Sequence, residues 1–152
     1  MTPQLLDEKV VFQVCFITDD LEKTAGWFCE FFDEEMPNII TTAPQSETQI
    51  EYLGKPSEAR CRLAIFSFGN TDIELIEPDE HPSCWRDFLD RHGPGCHHIA
   101  FKVQGMKEKI MKFEAAGAPL LQKGEFTGGR YAYVDTEAQL GALIELLEID
   151  KK

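Results

Sequence analysis

A chain of 152 residues, 43% hydrophobic and 28% charged, has material for one core, or for two half-size units sharing a core, but not for two independent domains. A formal net charge of −12 with no basic cluster speaks against nucleic acid as a partner, because a phosphate backbone would be repelled. There is no basic leader followed by an apolar run and no stretch of membrane-spanning length, and the five cysteines, Cys15, Cys29, Cys61, Cys84 and Cys96, form an odd set without CxxC spacing. The expectation is a cytoplasmic protein with free thiols and no membrane partner.

Residues 10–18, "VVFQVCFIT", are β-branched and aromatic and suit a buried strand. Asp19 follows as a helix N-cap with Glu22 three positions on, and Leu21, Ala25, Phe28 and Phe32 mark one helical face. Three further strand candidates follow at 38–42, 59–68 and 71–77, interrupted by a polar insertion at 43–58. Between 79 and 95, Ser83 offers a cap, Trp85, Phe88 and Leu89 a helical stripe, and Gly-Pro-Gly a stop, which predicts a linker helix. A strand at 96–103 and a helix carrying Met106, Ile110 and Phe113 come next, then strands at 119–123, 129–135 and 142–148.

The chain therefore reads twice. "IELIE" at 73–77 returns as "IELLE" at 144–148, and laying the second half on the first puts Gln13 on His98, Val14 on Ile99, Phe16 on Phe101, Leu21 on Met106 and Phe28 on Phe113. Each half is strand–helix–strand–strand–strand: 8–78 and 96–149, within a single domain spanning 1–152. Alternation places Gln13 with Val11 and Cys15 on one strand face, and Phe12, Val14 and Phe16 on the other. It likewise places His98 with Cys96 and Ala100, and His97 with Ile99 and Phe101, so His97 is expected in the core or at the sheet edge. The aromatic face belongs under the helix, which leaves Gln13 and His98 on a face with small neighbours and room for a ligand.

Glu145 shares its strand face with Leu143 and Leu147, a costly setting for a carboxylate unless a cation compensates it. If the halves pack as a pseudo-symmetric pair, Gln13, Glu74, His98 and Glu145 converge. One imidazole, one amide oxygen and two carboxylates suit Zn, Mn, Fe, Co or Ni with positions left open for substrate, and lack the thiolates of a closed structural zinc site.

In these stretches, "FQVCFITDDLEKT", "NTDIELIEP", "GPGCHHIAFKV" and "GALIELLE", the chain resembles the vicinal oxygen chelate superfamily over residues 8–149. That superfamily includes glyoxalase I, methylmalonyl-CoA epimerase, bleomycin-resistance proteins and extradiol dioxygenases. The resemblance implies an α+β fold of two tandem βαβββ modules whose mixed sheet curls round a metal-binding cup. It also implies one divalent metal ion held by Gln13, Glu74, His98 and Glu145; Gln at the first position is similar to eukaryotic glyoxalase I. The cup is completed within one chain in some such proteins and across a homodimer in others.

The phrases "GPGCHHIAF" and "IELLE" are similar to methylmalonyl-CoA epimerase, but Leu63 stands where that enzyme has a second carboxylate base. The basic residues with which glyoxalase I contacts glutathione, and its terminal "DPDGY"-like phrase, are not visible either. The implied activity is that of a metal-dependent lyase or isomerase of the glyoxalase/epimerase type. Glu145 as catalytic base would move a proton next to the carbonyl of a small carbonyl compound or thioester, through a metal-stabilised enolate or enediolate. The alternative is a bleomycin-resistance-like binding protein that does no chemistry.

Other residues carry weaker signals. His81, Cys84, His92, Cys96 and His97 match no regular zinc spacing. Arg60, Arg62, Lys102 and Arg130 are candidates to meet an anionic substrate and also fit as solvated charges; Tyr131 and Tyr133 share a strand face and fit either the cup wall or packing. The stretch at 124–130, "GEFTGGR", fits a mobile loop or a plain hairpin turn equally well.

Overall fold

The computed structural model describes residues 4–152. β1 (Gln13–Ile17) enters α1 (Leu21–Phe32), followed by β2 (Ile40–Thr41), α2 (Gln45–Thr48), β3 (Glu51–Tyr52), β4 (Lys55–Pro56), β5 (Cys61–Ser67) and β6 (Asp72–Pro78). α3 (Cys84–His92) leads to β7 (Gly95–Lys102), α4 (Met106–Ala115), β8 (Leu120–Phe126), β9 (Gly129–Val134), α5 (Glu137–Leu140) and β10 (Leu143–Ile149). The first strand is shorter than its sequence suggests, beginning at Gln13 rather than residue 10. The N-cap of α1 is Asp20, not Asp19: its side chain accepts the Lys23 N–H.

All strands join one curled mixed sheet in the order β2-β5-β6-β1-β7-β10-β9-β8-β3-β4. Its central seam is the antiparallel pair β1/β7, and each of these strands runs parallel to the last strand of its own half, β1 beside β6 and β7 beside β10. The α+β architecture of a curled sheet built from two repeats is thus present. The 43–58 insertion does more than lengthen the first half. It forms the β3–β4 hairpin and pairs with the far edge of the second half, Glu51 opposite Lys123 and Tyr52 opposite Gln122.

The repeated pentapeptide has a physical reason on each face of the sheet. Its last carboxylate lies on the helix side, where Glu77 Oε2 accepts the Leu21 N–H at 2.8 Å and Glu148 Oε2 accepts the Met106 N–H at 2.5 Å. Each glutamate thereby satisfies a backbone donor that a helix start leaves orphaned, at its electropositive end. Arg62 and Arg130 hold these two carboxylates in matching ion pairs at 3.1 and 3.0 Å. The helix side is apolar otherwise: Leu21 and Ala25 bury with Ala64, Phe66 and Leu75 in the first half, and Met106 and Phe113 with Phe101, Val134 and Leu146 in the second.

The opposite, concave side is also filled, contrary to the expectation of open room there. Cys84, Trp85 and Leu89 of α3, with Ile50 from the insertion, bury against Cys15, Ile17, Ile76, Tyr133 and Leu143 of the sheet. Ser83 caps α3 by accepting the Arg86 N–H at 3.0 Å, Gln122 Oε1 accepts the Cys84 N–H at 2.8 Å, and the Trp85 indole N–H donates to the Tyr133 hydroxyl at 3.1 Å. Ser57 Oγ donates to the Pro82 carbonyl at 2.5 Å, so insertion and linker are tied together. Full burial of each large apolar side chain here contributes roughly 1.5–3 kcal/mol, which makes the cover a packed layer of the core. The glycine-rich stretch at 124–130 forms the β8–β9 hairpin; Gly129 lies against the Glu148 carbonyl, where a Cβ would collide.

Candidate metal centre

Two rows of side chains cross the β1/β7 seam on the concave face. One runs Glu74, Cys15, His98, Leu143 across β6, β1, β7 and β10; the next runs Asp72, Gln13, Ala100, Glu145 and on to Tyr133 of β9. Because residues two apart on a strand share a face, the rows stack and bring all four sequence candidates around the seam. Gln13, Glu74, His98 and Glu145 are 5%, 8%, 0% and 5% exposed. His98 Nε2 lies 2.9 Å from Glu145 Oε2 and 3.6 Å from Glu74 Oε1.

Two carboxylates with no buried lysine or arginine between them are electrostatically costly. Burial, and after it the Glu145 carboxylate, raise Glu74 to about 7, against an opposing pull from His98, Cys15 and Gln13. His98 Nε2 and Glu145 Oε2 face each other at ion-pair distance, yet neither makes a hydrogen bond of normal geometry among the described residues. Buried polar atoms without partners are rare and need a reason. A divalent cation at this point would satisfy both atoms and offset both negative charges, so the donor set fits a metal ion, with His98 Nε2, Glu74, Glu145 and the Gln13 amide as the side chains that could hold it.

Two neighbours join these four: Cys15, which the sequence did not mark as a ligand, and Tyr133, for which it allowed either the cup wall or packing. Cys15 brings its Sγ within 4.8 Å of ligand atoms of Glu74 and His98, and burial, then the two glutamates, push its thiol well above the usual range. Its place on the Gln13 face was readable from alternation. Tyr133 stacks at a tilt on His98, ring centroids 4.9 Å apart, and is 2% exposed, so it lines the site as well as the core.

His97 is buried, as expected of a core residue, but on the other face of the sheet. Alternation sends it to the helix side with Ile99 and Phe101, but the β1/β7 register slips between Cys15 and Phe16, whose partners are His98 and Cys96. The bulge leaves His97 unpaired in the ladder and turns its ring to the concave side, edge-on to Phe88 and Tyr133. His97 Nδ1 and His98 Nδ1 are 2.8 Å apart. Burial, then His98, hold His97 well below the usual imidazole range, so it is neutral.

His81 contacts Asp79, His92 contacts Glu137 and Cys96 is exposed; Cys84, the first residue of α3, is buried and lines a small cavity with His97, so the five residues do not gather into a joint zinc site. The basic residues are engaged: Arg62 with Glu22 and Glu77, Arg130 with Glu125, Glu148 and Asp150, Arg60 with the Thr42 carbonyl, and Lys102 over the Phe12 ring. No helix among the described residues is long and apolar enough to cross a membrane.

Comparison with known proteins agrees with the fold. Residues 12–134 match the family model of the glyoxalase/bleomycin resistance protein/dioxygenase superfamily. Methylmalonyl-CoA epimerase from Mycobacterium tuberculosis superposes with a TM-score of 0.65 at 21% identity, covering 99% of this chain and 93% of that one. A Streptomyces coelicolor methylmalonyl-CoA epimerase variant in complex with 2-nitronate-propionyl-CoA gives 0.62 at 18% identity, covering 93% and 98%. In sequence, the uncharacterized protein YqjC of Bacillus subtilis (strain 168) is 30% identical over 94 residues, 60% of this chain and 67% of that protein. With the matched span running from β1 through β9 and across the seam, and stopping short of β10, the chain belongs to the glyoxalase/bleomycin resistance protein/dioxygenase superfamily, which includes many enzymes and whose members commonly bind a divalent metal.

Proposed function

We propose that the protein is a divalent-metal-dependent isomerase or lyase of the glyoxalase/epimerase type, moving a proton next to the carbonyl of a small carbonyl compound or thioester. What supports this reading is that Gln13, Glu74, His98 and Glu145 lie buried in two adjacent rows of the concave face, with His98 Nε2 2.9 Å from Glu145 Oε2 and 3.6 Å from Glu74 Oε1, and with His98 Nε2 and Glu145 Oε2 left without hydrogen-bond partners among the described residues. A bound divalent ion supplies Lewis-acid polarisation of a substrate carbonyl. The chain's own residues do the rest. Glu145 is the base, taking the proton from the carbon beside the carbonyl and returning it, a contribution of roughly 10²–10⁴-fold in rate. Tyr133, Trp85 and Ile76 keep the surroundings dry, which strengthens every charge interaction at the site.

Leu63 packs against the apolar cluster of the concave side and offers no second base. One base on one face of the substrate suits proton return to the neighbouring carbon better than inversion of a stereocentre, which needs a donor on the opposite face. A thioester substrate is favoured by the relatives crystallised with CoA compounds. The α3 and hairpin layer that fills the cup weighs against sequestration of a bulky molecule, the rival reading, and by the same token any substrate has to displace part of that layer to reach Glu145.

The test is solvent-deuterium wash-in by metal-loaded protein, using methylmalonyl-CoA and the methylglyoxal–glutathione adduct. Exchange into one of them, lost in Glu145→Gln, supports the proposal. Absence of exchange into both, or exchange that survives in Glu145→Gln, contradicts it.

A further inference from the structure

We infer that His97 is a positioning residue for the metal centre: the bulge in β7 turns its ring onto the concave side so that His97 Nδ1 accepts the His98 Nδ1–H and leaves His98 Nε2 bare toward Glu74 and Glu145. This rests on the metal-centre reading above and adds a residue to it.

The argument begins with the short contact between the two rings. At 2.8 Å, one Nδ1 carries the shared hydrogen and the other accepts it. If His97 donated, neutral His98 would carry its own hydrogen on Nε2, aimed at Glu145, and would have no lone pair for a cation. If His98 donates, Nε2 is a free ligand atom directed at both carboxylates. Only the second arrangement is compatible with an ion held between them, and the partner of the other ring nitrogen selects it.

His97 is built to be that partner. It is 1% exposed, and Phe88, Tyr133 and His98 enclose its ring with centroids 5.2, 5.5 and 5.1 Å away. Its remaining nitrogen, Nε2, has no hydrogen-bond partner of normal geometry among the described residues, although the Cys84 backbone lies close enough to favour a proton on the ring. The residue lines a cavity of about 70 Å³ whose wall includes Asp87, Arg91, Asp135 and Glu137, a polar setting for the Nε2–H that the accepting form carries. An apolar ring would fill the space between Phe88 and Tyr133 as well. What distinguishes histidine there is the acceptor at Nδ1.

Two substitutions separate acceptor from filler. His97→Phe keeps an aromatic ring between Phe88 and Tyr133 and removes the acceptor; His97→Asn loses the ring but keeps a side-chain oxygen near the position of Nδ1. Metal-stripped wild type, both variants and His98→Ala are titrated calorimetrically with Zn²⁺ and with Co²⁺. The expected result is binding weakened about 10–100-fold in His97→Phe, as for other partners of metal-ligating histidines, and close to wild type in His97→Asn. ¹⁵N-histidine NMR of zinc-loaded wild type should show His98 protonated on Nδ1, with a coupling across the hydrogen bond to His97 Nδ1. Wild-type affinity in His97→Phe, or equal losses in Phe and Asn, overturns the inference while the metal centre stands; a His98 protonated on Nε2 in the zinc-loaded protein overturns both, because that nitrogen then has no lone pair for the ion. A wild type that binds neither ion, or a His98→Ala that binds as tightly as wild type, overturns the metal-centre reading and the inference with it.

Discussion

Glu74→Gln should stabilise the metal-stripped protein, and should do so only at high pH. Burial and the Glu145 carboxylate raise Glu74 from 4.5 to about 7, a difference corresponding to roughly 3 kcal/mol at 1.36 kcal/mol per pH unit. The raised value means the native state holds its proton more tightly than the unfolded chain does. Stability associated with the protonated form is fully present below 4.5 and is lost as pH rises through about 7. Urea unfolding of wild type and Glu74→Gln in chelator, across that window, isolates the effect. Glu137 and Asp7, whose carboxyls are held low by Arg91 and Lys109, titrate equally in both proteins and cancel. The free-energy difference between the two proteins should grow by about 3 kcal/mol in favour of the variant from the acid to the alkaline end. Parallel stability curves would show that Glu74 is not a buried, charge-crowded carboxylate, and the electrostatic case for a cation would fail with it.

Other outcomes follow from the same geometry. Adding Zn²⁺ to stripped wild type at a free concentration a hundredfold above its dissociation constant should raise unfolding stability by about 2.7 kcal/mol, and His98→Ala should abolish the gain; equal stabilisation of the variant would place the ion elsewhere. Leu89→Ala should cost about 2–5 kcal/mol in urea unfolding, because the side chain is buried in the α3 layer over the sheet, whereas a loss below 1 kcal/mol would show that layer to be loosely packed. Glu148→Ala should cost roughly 1–2 kcal/mol, since α4 has no side-chain cap of its own and its Met106 N–H relies on that carboxylate; no change would mean that solvent serves the helix start as well.

Much of this architecture was legible because both strand faces repeat. "IELIE" and "IELLE" each place one glutamate toward the seam and another toward a helix start, two independent constraints that a duplicated sequence retains. The aromatic faces of β1 and β7 went under α1 and α4 as alternation required. What was not legible depends on contacts remote in sequence. Nothing in "SETQIEYLGKPS" states that Glu51 and Tyr52 will pair with Lys123 and Gln122, and the linker helix stripe of Trp85, Phe88 and Leu89 declares an apolar face without saying that it fills the concave side of the sheet. His97 escaped for another reason: period-two reasoning assumes an unbroken ladder, and one inserted residue reverses the face of the side chain at the slip.

The account's central claim concerns which atoms would surround one cation, and X-ray absorption at the metal edge reads that shell directly. Protein loaded with one equivalent of Zn²⁺ should show a shell of nitrogen and oxygen at about 2.0–2.2 Å, including one imidazole, from His98, Gln13, Glu74 and Glu145. A sulfur scatterer at about 2.3 Å would put Cys15 in the shell in their place, and a spectrum indistinguishable from the hydrated ion would contradict the site altogether.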